Sequence, residues 1–177
     1  MISVLILSGY SDASLCTNNE VLDEISDIYV PLLLGVLRYN GIVSEAVNPT
    51  KLERLYDLQG KTNSNLIYVP FFSCCEGNST DVSFIYTDST SGASTSFRIA
   101  TKLRSKRENE QGKVVFVNAL NEGHSLRKYT PVIVDNVRFL STAYSCDIVE
   151  KIYKLVLTAA ESIAEYYGII FRDPATA

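Results

Sequence analysis

The sequence predicts an α/β fold, a three-layer sandwich built around a mostly parallel central sheet. Short apolar runs typical of buried strands alternate along the chain with longer segments whose apolar residues keep helical spacing. Strands that alternate with helices are joined by crossovers, which makes the sheet mostly parallel and covers both of its faces. With 177 residues, of which 46% are hydrophobic and 20% charged, the chain is predicted to form one domain over residues 1–177.

Strands are predicted wherever a short apolar run is bounded by polar or turn-forming residues. The first run is almost continuously apolar, as expected of a strand buried on both faces. The predicted strands are residues 2–7, 42–47, 66–72, 82–87, 114–117 and 131–135. Polar loops are predicted at 74–81, 88–94 and 118–127, and the last of them contains the only histidine, His124.

Four helices are predicted from apolar spacing and from their end signals. The pattern Thr17-Asn-Asn-Glu20 is a capping box, and Asn40-Gly41 ends the helix that follows it. The second helix is predicted from Pro49 to about residue 58, and the third over 96–107. The last begins at residue 145 or 147, and Gly168 ends it.

Charge and composition disfavour two classes of partner. The net charge is −4 and no basic block is present, which argues against nucleic-acid binding. No run approaches the ~20 apolar residues of a membrane span. One basic cluster is predicted to be the solvated end of a helix, with a phosphate or partner patch as the alternative. Its members are Lys102, Arg104, Lys106 and Arg107.

The beginning of the chain and its cysteines predict synthesis in a reducing cytoplasm. Met1 leads directly into a strand, without the apolar segment of a secretory signal. Cys16, Cys74, Cys75 and Cys146 form no CxxC pattern, and they are expected to be free thiols. The expected location is therefore the cytoplasm or an assembled particle.

Three segments resemble conserved parts of a known enzyme family. They are VLILSGYSD at 4–12, NLIYVPFF at 65–72 and PVIVDNVRFLS at 131–141. Together with the order of the other elements from Val4 to Gly168, they resemble the zinc-dependent N-acetylmuramoyl-L-alanine amidase domain of cell-wall hydrolases. The resemblance implies a phosphorylase/hydrolase-like fold. It also implies one zinc ion held by two histidines and a glutamate, with a second glutamate as general base.

The two histidine positions of that family hold other residues here. The first position, directly after Gly9, is Tyr10. The second falls at Pro70, or at Phe71 or Phe72 if the alignment shifts. Since a zinc site of this kind requires neutral imidazole, tyrosine is a poor replacement, and proline and phenylalanine offer no ligand atom.

The two glutamate positions are altered as well. Glu20, Asp23 and Glu24 lie near the expected ligand position and are candidate residual acidic residues, although strict spacing gives Leu22. The general-base position is Asn136, preceded by Asp135, which strand alternation should direct to the other side of the sheet. Because asparagine cannot act as a general base, the sequence predicts an amidase-like domain without amidase activity, metal or other cofactor.

The predicted function is that of a structural or binding component, with protein partners or a second copy of the chain, of a phage or another assembled particle. Tyr10, Phe71 and Phe72 are expected to cluster at the vacated site, where they either fill it or contact a protein or glycan. Peptidoglycan is an open candidate ligand. The alternative functions are an active zinc amidase and a flavodoxin-like protein that binds FMN or a nucleotide phosphate through Ser8, Ser11 and Ser14.

Two further sites are open alternatives at the residue level. Cys16, Cys74, Cys75 and His124 could form a substitute metal site, because thiolates and imidazole are good zinc ligands. Cys74 or Cys75 could instead be a nucleophile paired with His124.

Overall fold

A central sheet organises the structure, which is a computed structural model that describes residues 1–18, 20–49, 63–75, 82–111, 114–129, 131–140 and 147–176. The strands in these ranges are β1 (Ser3–Leu7), β2 (Tyr10–Asp12), β3 (Val43–Val47), β4 (Leu66–Cys75), β5 (Val82–Thr87), β6 (Val114–Ala119) and β7 (Val132–Leu140). The α-helices are α1 (Val21–Tyr39), α2 (Thr95–Gln111) and α3 (Ile148–Tyr166). Short 3-10 helices lie at Ser125–Lys128 and Pro174–Thr176.

The strand order is β3-β1-β4-β7-β5-β6, and β2 pairs with β4 beyond the end of β1. Every pairing is parallel except the one between β5 and β7. The predicted α/β class with a mostly parallel sheet is confirmed. Helix crossovers make parallel neighbours possible, so the alternation of elements along the chain determines this topology.

Two hydrophobic clusters lie on the opposite faces of the sheet. Alternate residues of β1 divide between them: Ile6 belongs to the first cluster, whereas Leu5 and Leu7 belong to the second. All three α-helices contribute buried residues to the first cluster. The second cluster consists mainly of strand residues, with Leu120 and Leu126 from the connection between β6 and β7. The helix predicted at residues 49–58 lies, from residue 50 onward, outside the described residues.

Most element boundaries agree with the sequence, and the disagreements have physical reasons. β4 and β7 are longer than predicted because they pair in register from Ile67 to Cys75, so each supplies backbone partners for the other. β2 lies outside the strands predicted from the sequence, but its pairing with β4 makes it a strand. The predicted capping box is wrong: α1 begins at Val21, and Glu20 at its N-cap makes no side-chain capping bond.

A buried ion pair joins α2 to the sheet. Arg107 and Asp135 are 3% and 1% exposed, and Arg107 donates through Nη1 and Nη2 to the two carboxylate oxygens at 3.1 and 2.8 Å. The same guanidinium donates to Thr158 Oγ1 of α3 at 2.7 Å and to the carbonyl of Leu155 at 3.2 Å. The prediction that the whole basic cluster is solvated is therefore wrong for Arg107. Lys106, another member of that cluster, forms a partly exposed ion pair with Glu165 at 3.1 Å.

Two tyrosines complete the surroundings of Asp135. The hydroxyls of Tyr29 in α1 and Tyr68 in β4 lie 2.6 Å apart, and Tyr68 donates to Asp135. Burial raises the pKa of Tyr29 to about 12. Burial, followed by the charge of Asp135, raises the pKa of Tyr68 well above its usual value. Both phenols therefore stay neutral, and one buried network connects α1, β4, α2, β7 and α3.

A disulfide joins Cys16 to Cys74, with their Cα atoms 5.2 Å apart. It connects the segment between β2 and α1 to the end of β4. The expectation of free thiols is wrong for this pair, because the β2–β4 pairing brings together two cysteines that are 58 positions apart in sequence. Cys75 is buried and is not part of this disulfide, and Cys146 lies outside the described residues.

None of the helices in the described ranges combines the length and the apolar composition that crossing a membrane requires.

Removal of one partner of the buried ion pair should strongly destabilise the protein. Arg107→Met leaves the Asp135 carboxylate buried without its counter-charge, and we expect the free energy of unfolding in urea to fall by ~3–5 kcal/mol. The double variant Arg107→Met/Asp135→Leu should regain most of that loss. Lys154→Met is the control, because Lys154 pairs with Glu150 on the surface, where both side chains are more than half exposed. An Arg107→Met loss no larger than that of the control would contradict this expectation.

Reduction of the Cys16–Cys74 bond should lower stability. The bond closes a loop with a sequence separation of 58, for which chain entropy predicts a loss of about 4 kcal/mol. Urea unfolding with and without dithiothreitol measures the effect. The Cys16→Ser/Cys74→Ser variant serves as the control and should not respond to the reductant. Equal stability of the wild type in both conditions would show that the bond does not form in solution.

Candidate functional site

Three neighbouring strands place Tyr10, Phe71 and Asn136 side by side. The register pairs Tyr10 with Phe71 across β2 and β4, and Phe71 with Asn136 across β4 and β7. Tyr10 and Phe71 pack against the second hydrophobic cluster, and Asn136 and Phe71 line the same cavities. These three residues, hereafter the Tyr10 row, therefore lie on the face of the sheet opposite the α-helices.

The turn at Gly9 positions the first member of this row. Gly9 has φ +95°, and a Cβ atom there would lie 2.6 Å from Oδ1 of Asn48. Ser8 donates from its backbone N–H to the carbonyl of Val47 at 2.9 Å, which holds the end of β1 against β3. Both the dihedral and the close approach require glycine, and the turn then delivers the chain into β2.

A polar row lies two residues further along the same strands. Asp12 pairs with Ser73, and Ser73 pairs with Arg138. These three residues, hereafter the Asp12 row, line a cavity of about 180 Å³ that Phe71 and Asn136 also border. A hydrogen bond from the backbone N–H of Ser14, at 3.0 Å, lowers the pKa of Asp12, so its carboxylate stays ionised. Arg138 donates to the carbonyl of Val82.

A second cavity, of about 340 Å³, lies on the other side of the Tyr10 row. Phe71, Asn136, Tyr86, His124 and Asn121 line it, together with two aliphatic residues, Leu120 and Val134. His124 Nδ1 accepts a hydrogen bond from the backbone N–H of Leu126 at 3.1 Å, which assigns the neutral imidazole proton to Nε2.

Phe72 does not join Tyr10 and Phe71, contrary to the sequence expectation. It is 1% exposed, belongs to the first cluster and meets the ring of Tyr29 edge to face, with the centroids 5.2 Å apart. Since side chains alternate along β4, only Phe71 among the aromatic candidates shares the face of Tyr10. Pro70 is buried and pairs with Asp135 in the register.

Asp135 and Asn136 face opposite sides of β7, as strand alternation predicted. Asp135 is held in the buried network, whereas Asn136 borders both cavities. The structure places Glu20, Asp23 and Glu24 at the exposed beginning of α1, where acidic side chains interact favourably with the helix dipole. Leu22, the position given by strict spacing, is 1% exposed and lies in the core.

The residues of the Tyr10 row do not fit the zinc ion that the resemblance implies. Phe71 and Asn136 provide no imidazole, thiolate or carboxylate. Burial raises the pKa of Tyr10, and the neighbouring Tyr129 raises it further, so its phenol stays protonated. Within the described part of the chain, no group of three or more His, Cys, Asp or Glu side chains could hold a metal ion.

The structure does not assemble the other sites considered from the sequence either. Cys16 and Cys74 are bonded to each other in a disulfide, so their thiolates cannot bind a metal ion or act as nucleophiles. Cys75 is 1% exposed. Neither the substitute metal site nor the cysteine nucleophile is therefore assembled. The phosphate site at Ser8, Ser11 and Ser14 required a helix N-terminus after the Gly9 turn. Instead β2 follows the turn, and α1 begins only at Val21.

Sequence reasoning missed the Asp12 row. Asp12 and Arg138 both lie outside the predicted strands, which end at residues 7 and 135, so neither residue has a predicted face. The alternation of side chains along a strand could have found them. If each strand continues, positions 10 and 12, positions 71 and 73, and positions 136 and 138 lie on the same face of the sheet.

Comparison with solved structures shows the fold. The N-acetylmuramoyl-L-alanine amidase AmiC2 of Nostoc punctiforme matches over 94% of this chain and 97% of its own, with a TM-score of 0.67 and 13% identity. The catalytic domain of CwlV, an N-acetylmuramoyl-L-alanine amidase from Bacillus (Paenibacillus) polymyxa var. colistinus, matches over 96% and 100%, with a TM-score of 0.65 and 16% identity. No protein-family model and no curated protein matches the sequence. The chain therefore has the fold of amidase catalytic domains.

Gly9 should be the glycine on which the position of the Tyr10 row depends. Gly9→Ala adds a Cβ in a left-handed conformation against Asn48, and we expect the free energy of unfolding to fall by about 1–3 kcal/mol. Gly92→Ala is the matched control, because no atom lies within 4 Å of its added Cβ. Urea denaturation of both variants gives the comparison. Equal losses in the two variants would contradict the role assigned to the Gly9 turn.

Proposed function

We propose that this protein is a non-catalytic structural or binding component built on the amidase fold. The observation that carries the proposal is the Tyr10 row. The resemblance assigns a zinc histidine to Tyr10, a second histidine to the segment around Phe71 and the general base to Asn136. The register makes these three residues neighbours on one face of the sheet.

The side chains in this row support binding rather than hydrolysis. A protonated phenol, a phenyl ring and a carboxamide cannot replace two imidazoles and a carboxylate in holding zinc or in accepting a proton from water. They do offer apolar area with hydrogen-bonding ends, which is characteristic of binding surfaces.

Aromatic residues extend this surface across the sheet. The ring of Phe84 is stacked with those of Tyr86 and Phe116, at centroid distances of 5.9 and 6.0 Å. Phe116 and Val114 on the edge strand β6 are 47% and 51% exposed. We also propose that this surface contacts other proteins within an assembled particle such as a phage, because it offers contact area but no catalytic groups. Peptidoglycan is a further candidate ligand, and the amidase fold is what favours it.

Metal content and hydrolysis test the proposal against the active amidase alternative. Protein purified without chelators should contain far less than one zinc per chain by elemental analysis. With added zinc and peptidoglycan it should release no amino groups above background, because the Tyr10 row provides neither zinc ligands nor a general base. The CwlV catalytic domain is the positive control under the same conditions.

About one zinc per chain, together with zinc-dependent turnover, would overturn the proposal. The Asn136→Glu variant tests the general base separately from the metal, because it restores a carboxylate at the general-base position alone. We expect this variant to remain inactive, since a general base without the metal does not activate water sufficiently.

A further inference from the structure

We propose that the sheet face carrying the Tyr10 and Asp12 rows binds a second copy of this chain, around a twofold axis that runs along β4 above Ser73. This inference names the partner of the proposed binding surface, and it rests on the proposed function to that extent. The evidence is the distribution of charge on this face, followed by its apolar content.

The Asp12 row carries one charge of each sign. Asp12 and Arg138 are the register neighbours of Ser73 on its two sides, so their Cα atoms lie about 10 Å apart, twice the strand spacing. In the described part of the chain neither forms an ion pair: the carboxylate of Asp12 accepts from Ser14, and Arg138 donates to a carbonyl. Among the described residues, this face therefore presents a carboxylate and a guanidinium that have no oppositely charged partner.

This arrangement is complementary to itself. A twofold axis parallel to β4 exchanges the two sides of that strand when a second sheet is placed face to face on the first. Asp12 then lies opposite Arg138 of the second copy, and Arg138 lies opposite Asp12 of that copy. Two symmetric ion pairs result from one surface, whereas an unrelated partner would need its own matching pair of charges at the same separation.

The remaining side chains on this face suit the interior of such an interface. Phe71 lies on β4 beneath the axis, two residues before Ser73. Leu15, which is 51% exposed, and Phe84 line the same cavity as Asp12 and Arg138. Apolar and aromatic side chains therefore surround the two ion pairs, and aromatic residues are enriched at protein interfaces.

Charge reversal tests the pairing. Sedimentation velocity of the full chain should show a dimer, about twice the 19.6 kDa of the monomer, whose dissociation constant can be measured by dilution. Asp12→Arg and Arg138→Asp should each raise that constant at least ~10-fold, because each places like charges opposite each other in both symmetric contacts. The double variant Asp12→Arg/Arg138→Asp should return to within about threefold of the wild type.

Controls separate the interface from folding. Arg138→Gln removes the charge but keeps a donor for Val82, and it should weaken the dimer less than Arg138→Asp. Lys154→Glu on α3 reverses an exposed charge away from this face and should leave the dissociation constant unchanged. Far-UV circular dichroism excludes any variant that does not fold.

A wild type that stays monomeric at all concentrations would overturn the inference, and so would a dimer that the double variant does not restore. Neither result bears on zinc content or hydrolysis, so the proposed lack of catalysis is judged separately. Binding of a different protein or of peptidoglycan to this face of a monomeric chain would replace the second copy as its occupant.

Discussion

The buried pair of Arg107 and Asp135 fixes the orientation of β7, on which both faces of the sheet depend. Two charges removed from water are tolerated only when each meets its counter-charge and further hydrogen bonds, and Arg107, Tyr68 and Asp135 satisfy that requirement together. A shift of β7 by one residue would expose Asp135 and bury Asn136 in its place. The network on the helix side therefore determines which residues β7 presents on the other side.

The same strand thus serves stability on one face and the candidate binding surface on the other. The Tyr10 row and the Asp12 row are consequences of two long-range pairings, β2 with β4 and β4 with β7. The disulfide between Cys16 and Cys74 strengthens the first of these pairings at its end. Every group proposed to contact a partner is accordingly carried by the rigid sheet or by a segment covalently tied to it.

The likeness to amidases at 13% and 16% identity illustrates how little sequence identity this fold requires. A fold of this kind requires apolar residues at the correct period, and many sequences meet that condition. Hydrolysis requires particular atoms at particular positions. Tyr10, Phe71 and Asn136 are compatible with the strands they occupy, but they lack the atoms that zinc chemistry requires.

The sequence by itself determined the α/β class, the position of β5, the glycines that end α1 and α3, and the scarcity of histidine ligands, since the whole chain contains one histidine. These properties follow from local periodicity, end signals and composition. Only the tertiary structure decided that Phe72 faces the core, that Arg107 is buried, that Cys16 meets Cys74 and that Asp12 and Arg138 flank Ser73. Each of these depends on contacts between residues far apart in sequence, and strand pairing and register, which local patterns leave open, establish those contacts.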